Sequence, residues 1–141
     1  MSQIHGYEFP PELYYDEHQQ YARLEGDVVT IGFNDFAQAA AKAISFVQLP
    51  RMSRKVDVGK PFMSVESGKW VGRLYAPVTG EVIAVNEALE DEPDLINSDP
   101  YGDGWVVRLR TSDITPLNSL HRTGDPGFAA WFEQEIKKYG M

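Results

Sequence analysis

The sequence predicts a mainly β protein with a minor helical part: one short helix after the first hairpin and another at the C-terminus. Three observations carry that expectation. Short β-rich runs at 62–65, 70–71, 74–75 and 82–85 are separated by Ser-Gly and Thr-Gly punctuation, which marks a hairpin leading into a further strand. Runs at 20–24 and 28–33 bracket Glu25-Gly26-Asp27, a turn with its glycine centred, and so read as a first hairpin. Helical spacing is confined to Phe36, Ala39, Ala40, Ala43 and to Phe128, Trp131, Phe132, Ile136, Tyr139.

Residues 1–16 read as a polar, aromatic N-terminal extension, with Pro10-Pro11 opposing regular structure. Tyr7, Phe9, Tyr14 and Tyr15 are expected to lie across the surface of the domain. Asp35 followed by Gln38 fits a helix start, and the alanines behind it predict a small-residue face packed close to a sheet. Residues 44–49 return to strand and end at Pro50. Arg51, Arg54 and Lys55 then make a basic turn in an acidic chain. The ordinary reading is a solvated connection; the functional one is a docking spot for an acidic partner.

Val56, Val58 and 62–65 are short strands around Gly59-Lys60-Pro61, and Gly59-Lys60 echoes Gly80-Glu81 as a faint internal repeat. Residues 87–99 are rich in acid, and Leu89, Leu95 and Ile96 are expected to pin a short helical turn or loop there, with Pro93 limiting its length. After the turn at 100–104 comes a closing strand from Trp105 to Leu109, then a helical turn at Thr115-Pro116. The last helix is expected over 125–139, with Asp125 as N-cap and Pro126 at the first helical position. Lys137 and Lys138 suit its negative end, and Gly140 can stop it. Its aromatic stripe should pack onto the sheets.

Composition bounds the function. The chain has 141 residues, 43% hydrophobic and 12% aromatic, which suits one folded domain over 1–141. A net charge of −8 disfavours nucleic acid and anionic membranes, whose phosphates call for clustered Lys and Arg. With no cysteine, neither disulfides nor thiolate chemistry are available. No apolar run reaches transmembrane length and the N-terminus lacks a signal-peptide plan, so a cytoplasmic monomer is expected. His5, His18 and His121 are scattered without ligand spacing, and Ser67 has no G-x-S-x-G context. No nucleophile, base and oxyanion donor assemble, so the chain is not expected to be an enzyme by itself.

Lys69 is the residue whose placement points to chemistry. Gly68 is expected where a tight reversal requires positive φ, which puts Lys69 at the hairpin tip with its amine in water. A lysine there is either a solubilising charge or a group that another enzyme can acylate.

The surrounding motifs decide between these. Glu66-Ser67-Gly68-Lys69, Ala76-Pro77-Val78-Thr79-Gly80-Glu81-Val82, Asn86-Glu87-Ala88-Leu89-Glu90-Asp91, Leu95-Ile96-Asn97 and Asp99-Pro100-Tyr101-Gly102-Asp103-Gly104-Trp105 resemble the lipoylated H proteins of the glycine cleavage system. The resemblance spans roughly residues 14–111 and reaches the last helix more loosely. A glutamate three residues before the lysine and a glycine eleven after it (Glu66, Gly80) are shared among lipoyl domains. The Met-Lys-Met of biotin carriers is absent. This resemblance implies the lipoyl-domain, or hammerhead, β-sandwich of two small antiparallel sheets.

It also implies lipoic acid in amide linkage to Lys69, attached by a lipoate ligase or lipoyl transferase that reads Glu66 and Gly80. The role implied is a non-catalytic carrier whose swinging arm serves several enzymes, dihydrolipoyl dehydrogenase among them. H proteins usually follow the lysine with small residues and then an acid, whereas this chain has Lys69-Trp70-Val71-Gly72-Arg73. Gly68, Trp70 and Arg73 are therefore expected on the partner surface. The run resembles H-like lipoate-binding proteins of bacterial sulfur oxidation, which implies sulfur transport with a heterodisulfide-reductase-like complex. The alternative is the glycine cleavage role, carrying an aminomethyl group between glycine decarboxylase, aminomethyltransferase and dihydrolipoyl dehydrogenase. A third class is an unmodified H-like domain that only binds partners.

Overall fold

The computed structural model describes residues 2–139. A first hairpin pairs β1 (Ser2–Ile4) with β2 (Tyr7–Phe9). There follow β3 (Tyr14–Tyr15), β4 (Gln20–Glu25), β5 (Val28–Phe33) and α1 (Asp35–Ala41). Next come β6 (Ile44–Gln48), β7 (Lys55–Val56), β8 (Pro61–Ser67), β9 (Val71–Tyr75) and β10 (Gly80–Val85). Two one-turn helices, α2 (Ala88–Asp91) and α3 (Leu95–Ser98), precede β11 (Val107–Arg110). A 3-10 turn at Thr115–Ser119 leads to α4 (Phe128–Lys138).

Two antiparallel sheets make the sandwich: a six-stranded one ordered β3-β4-β5-β11-β10-β7, and a three-stranded one ordered β6-β8-β9. The mainly β class holds, with β1-β2 added as a third, two-stranded sheet that the expected pair lacks. The core between the main sheets joins Val29, Ile31, Val107 and Leu109 of one to Val47, Val65 and Leu74 of the other. Leu89 and Ile96, from α2 and α3, are fully buried in it, which is why so acidic a stretch still folds into turns. Asn97 fastens that stretch: its Oδ1 accepts from the Ile44 amide at 2.9 Å and its Nδ2 donates to the Lys42 carbonyl at 2.7 Å.

Several local expectations need correction. The α1 cap is Asn34, whose Oδ1 accepts from the Ala37 amide at 2.8 Å; Asp35 is already helical. The buried face is Phe36, Ala37 and Ala41, while Ala43 is exposed beyond the helix. Val58 is exposed outside any strand, and the closing strand begins at Val107. Gly59 has positive φ (+82°) whereas Gly80 lies in a strand, so the two glycines of the faint repeat take different conformations. Asp125 does not cap α4: the N-cap is Gly127, and the Asp125 carboxylate accepts from the Arg122 amide at 2.9 Å instead. The stop assigned to Gly140 lies outside the described residues.

The largest departure is at the N-terminus. Pro10-Pro11 do not keep their surroundings irregular, because strands form on both sides of them. Phe9 and Tyr15 are fully buried with Phe36, Phe128 and Phe132 in a second core. Phe9 and Phe132 meet edge to face at 4.6 Å, and Phe36 meets Phe132 at 5.4 Å. The aromatic stripe of α4 thus packs on the N-terminal hairpin and α1. Phe128 and Phe132 are four residues apart and share one helical face, so a single stripe fills this core.

A buried polar chain runs behind it. Asn34 Nδ2 donates to Gln19 Oε1 (3.0 Å), Gln19 Nε2 donates to Glu135 Oε1 (3.0 Å), and Lys138 Nζ pairs with Glu135 Oε2 (2.7 Å). Asp16 Oδ1 accepts from the His18 and Gln20 amides at 2.9 and 3.1 Å. Burial pushes the Asp16 pKa up to about 7, outweighing these two hydrogen bonds, which pull it down. An unfolded Asp16 loses its proton near 3.8, so between that pH and 7 the folded state holds a proton that unfolding releases. Stability should therefore fall as pH rises through this window, and Asp16→Asn should flatten the fall. Urea midpoints across the window measure it, and equal slopes for the two proteins would contradict the buried acid.

The lysine-tipped hairpin

Gly68, Lys69 and Trp70 join β8 to β9, and backbone pairing of Ser67 with Trp70 leaves Gly68 and Lys69 at the apex. The Ser67 amide donates to the Trp70 carbonyl at 2.8 Å, and the return bond from the Trp70 amide is long, at 3.5 Å. Neither Gly68 nor Lys69 has positive φ, so the expected left-handed glycine is corrected: the reversal uses ordinary φ at both positions. A side chain at Gly68 would meet nothing within 4 Å, and glycine there leaves open space beside the lysine. Lys69 itself is exposed, and among the described residues its amine enters no ion pair.

The strands beneath are pinned. In register, Val65 faces Gly72 and Met63 faces Leu74, and Val65 and Leu74 are both fully buried. The base of β9 is tied across to the six-stranded sheet by Gln20, whose Nε2 donates to the Tyr75 carbonyl (2.9 Å) while its Oε1 accepts from the Tyr75 amide (2.6 Å). His18 stacks on the Tyr75 ring at 3.8 Å.

Trp70 is half-buried against the core instead of standing free beside the lysine. Its indole lies over Gly72, where a Cβ would come within 1.9 Å of the ring, and meets Phe33 edge to face at 6.2 Å. The ring fills space between the hairpin and α1, leaving a crevice of only about 20 Å³ lined by His18, Phe36, Ala40 and Tyr139. Glu66 is exposed on β8, paired across with Phe46 on one side and Val71 on the other. Arg73 is exposed two residues below Val71 on the same face, opposite Ser64.

Glu66, Gly68, Lys69 and Trp70 thus come together on one hairpin, with Arg73 lower on its outer face. Gly80 does not join them. It opens β10 in the other sheet, where a Cβ would stand 2.4 Å from the Arg110 carbonyl oxygen. Glycine is required there by close backbone approach, not by a turn. Two features escaped the sequence reading. Gln20 looked like an ordinary strand polar residue, and nothing in sequence reveals its bonds to Tyr75. The exposure of Phe46 escaped because a register shift in β6 between Ile44 and Phe46 breaks the alternation that would have turned Phe46 inward with Ile44.

The arrangement offers one accessible amine on a braced support. Among the described residues no group of His, Asp or Glu could hold a metal ion, and no helix is long and apolar enough to cross a membrane. A β-sandwich that presents a lone lysine at a two-residue hairpin tip is the architecture of a post-translationally loaded carrier domain. Residues 13–126 match the family model described as "Glycine cleavage H-protein". The chain is 45% identical over 112 residues to the glycine cleavage system H protein of Rubrobacter xylanophilus, covering 79% of this chain and 89% of that one. It is 46% identical over 113 residues to that of Brevibacillus brevis, covering 80% and 90%. A crystal structure of a glycine cleavage system H protein from Mycobacterium marinum superposes with a TM-score of 0.75 at 27% identity, covering 94% of this chain and 100% of that one.

The chain belongs to the glycine cleavage H-protein family. Its members are non-catalytic lipoyl carriers with lipoate attached covalently to a lysine. These relatives favour the glycine cleavage role, held second on sequence, over the sulfur-oxidation role and its heterodisulfide-reductase-like partner, which they do not support. The contrary inference rested on Trp70, Arg73 and the basic turn from Arg51 to Lys55, and the fold absorbs the first of these as packing.

Gly72→Ala tests the bracing. The added methyl must displace the indole, and overpacking of this kind costs about 1–3 kcal/mol. Urea unfolding reads the loss; an unchanged midpoint would show that Trp70 is not seated on Gly72.

Proposed function

We propose that Lys69 is the lipoyl attachment site and that the chain carries an aminomethyl group between glycine decarboxylase, aminomethyltransferase and dihydrolipoyl dehydrogenase in the cytoplasm. The observation that carries this is the exposed Lys69 amine, without an ion pair among the described residues, at the apex of a hairpin whose two strands are anchored in the core. The donor group fits the cofactor: an amide forms on an amine that a ligase can reach, and nothing in the fold must be broken to reach it. Bound lipoate supplies the reversible dithiol chemistry that a cysteine-free chain lacks.

The chain's own residues do the rest. Val65 and Leu74 hold the strands, Gln20 holds the base of β9, and the short loop fixes where the tether starts. Tethering raises the effective concentration of the cargo at each enzyme it visits. Glu66 shares the outer face of β8 and is three residues from the lysine, within the footprint of an attaching enzyme. Gly80, in the other sheet, supports recognition by letting β10 approach the Arg110 backbone closely.

Intact mass after co-expression with a lipoate ligase and lipoate tests the site. Wild type should gain one lipoyl group and Lys69→Arg none; a gain retained by the variant would move the site elsewhere. Glu66→Gln, at an exposed position, should slow lipoylation while leaving stability within about 0.5 kcal/mol. An unchanged lipoylation rate would remove Glu66 from recognition. Protein with a confirmed mass gain should then accept an aminomethyl group from glycine decarboxylase, and loaded protein that does not turn over would overturn the partner assignment alone.

A further inference from the structure

We infer that the outer face of the β6-β8-β9 sheet is a docking surface for an acidic protein partner, entered at a basic groove and ending at Lys69. The inference rests on the carrier reading for what the partner does, but its geometry stands separately. Acidic side chains outnumber Lys and Arg by 21 to 13 in this chain. Even so, Arg51, Arg54 and Arg73 converge on one groove of about 660 Å³ that has no Asp or Glu in its lining. Among the described residues none of the three pairs with a carboxylate. Arg54 is held in place, its Nη1 donating to the Phe62 carbonyl at 2.8 Å, so one guanidinium is set before any partner arrives.

The strand register connects this groove to the lysine. One cross-strand row is Gln48, Ser64 and Arg73; the next row toward the tip is Phe46, Glu66 and Val71. Successive outward residues stand about 7 Å apart along a strand, so the groove and the apex belong to a single continuous face. Phe46 and Val71 are 51% and 68% exposed, large apolar groups left in water on that face. A surface with an apolar pair beside unpaired guanidiniums fits a protein that brings carboxylates to the arginines and an apolar side chain to Phe46 and Val71. A nucleic acid fits it worse, because the net charge of −8 repels an extended polyanion everywhere outside the groove. A partner seated this way leaves the lysine tip pointing past its edge, where an active site can receive the arm.

The probe is fluorescein-labelled decaglutamate, titrated by anisotropy into unlipoylated full-length protein at about 50 mM salt, where charge pairing is least screened. Wild type should bind, and Arg51→Glu with Arg73→Glu should weaken binding by about tenfold or more, since like charges now face the peptide. Both positions are exposed, and Arg54 is left alone because it bonds the Phe62 carbonyl. Amide shift changes in wild type should map to 48–54, 61–64 and 73. No wild-type binding, equal binding by the double variant, shifts that map elsewhere, or tighter binding of a ten-nucleotide single strand would each overturn the assignment. Lipoylation plays no part in this titration, so its failure is distinct from a failure to acylate Lys69.

Discussion

The constraint on which the rest depends is the burial of Val65 and Leu74 from the two strands of one hairpin. Each is fully enclosed, and their neighbours across the register, Gly72 and Met63, are buried too. With both legs fixed, only Gly68 and Lys69 remain to close the chain, and the Ser67–Trp70 hydrogen bond leaves them little freedom. An apex held this way can be chemically plain and still be specific. What a modifying enzyme needs is an amine in a repeatable place, and core packing supplies the place without lending the amine any partner of its own.

The bracing is layered. Gln20 joins β9 to the larger sheet through both of its amide atoms, so the base of the hairpin is fastened to the sandwich. Trp70 fills the space toward α1, and α1 in turn is held by the aromatic core it shares with the N-terminal hairpin and α4. The terminal segments therefore brace the side of α1 that faces the lysine-tipped hairpin. The polar chain from Asn34 through Gln19 to Glu135 spans the same junction, and every member has a partner, as buried polar groups require.

Much of this was legible in the sequence, for reasons that can be named. Strand runs and the Gly26 turn follow from alternation and turn chemistry, and the tip position of Lys69 follows from the Ser-Gly punctuation between two strand runs. The motif around Lys69 and the acid-rich stretch up to Trp105 carried the family. What escaped depended on contacts distant in the chain. Pro10-Pro11 argued correctly against strand at those two residues and said nothing of Phe9 and Tyr15, whose burial needs α4 from over a hundred residues away. Asn34 and Asp35 are equally good caps, and only the fold chooses. Gly68 looked like a left-handed glycine because its neighbours mark a turn, yet this turn does not use that conformation. Trp70 read as a change of partner surface because bulk beside a lysine suggests contact, while a glycine two residues on had cleared room for the ring.

The central claim is that the lysine is presented by a stiff reversal and does not hang on a loose loop. Backbone ¹⁵N relaxation across residues 63–74 tests it directly. The account predicts order parameters near 0.85 for Val65, Gly72 and Leu74, with Gly68 and Lys69 only modestly lower. Values below about 0.6 through Ser67, Gly68, Lys69 and Trp70 would mean a floppy tip and would contradict it.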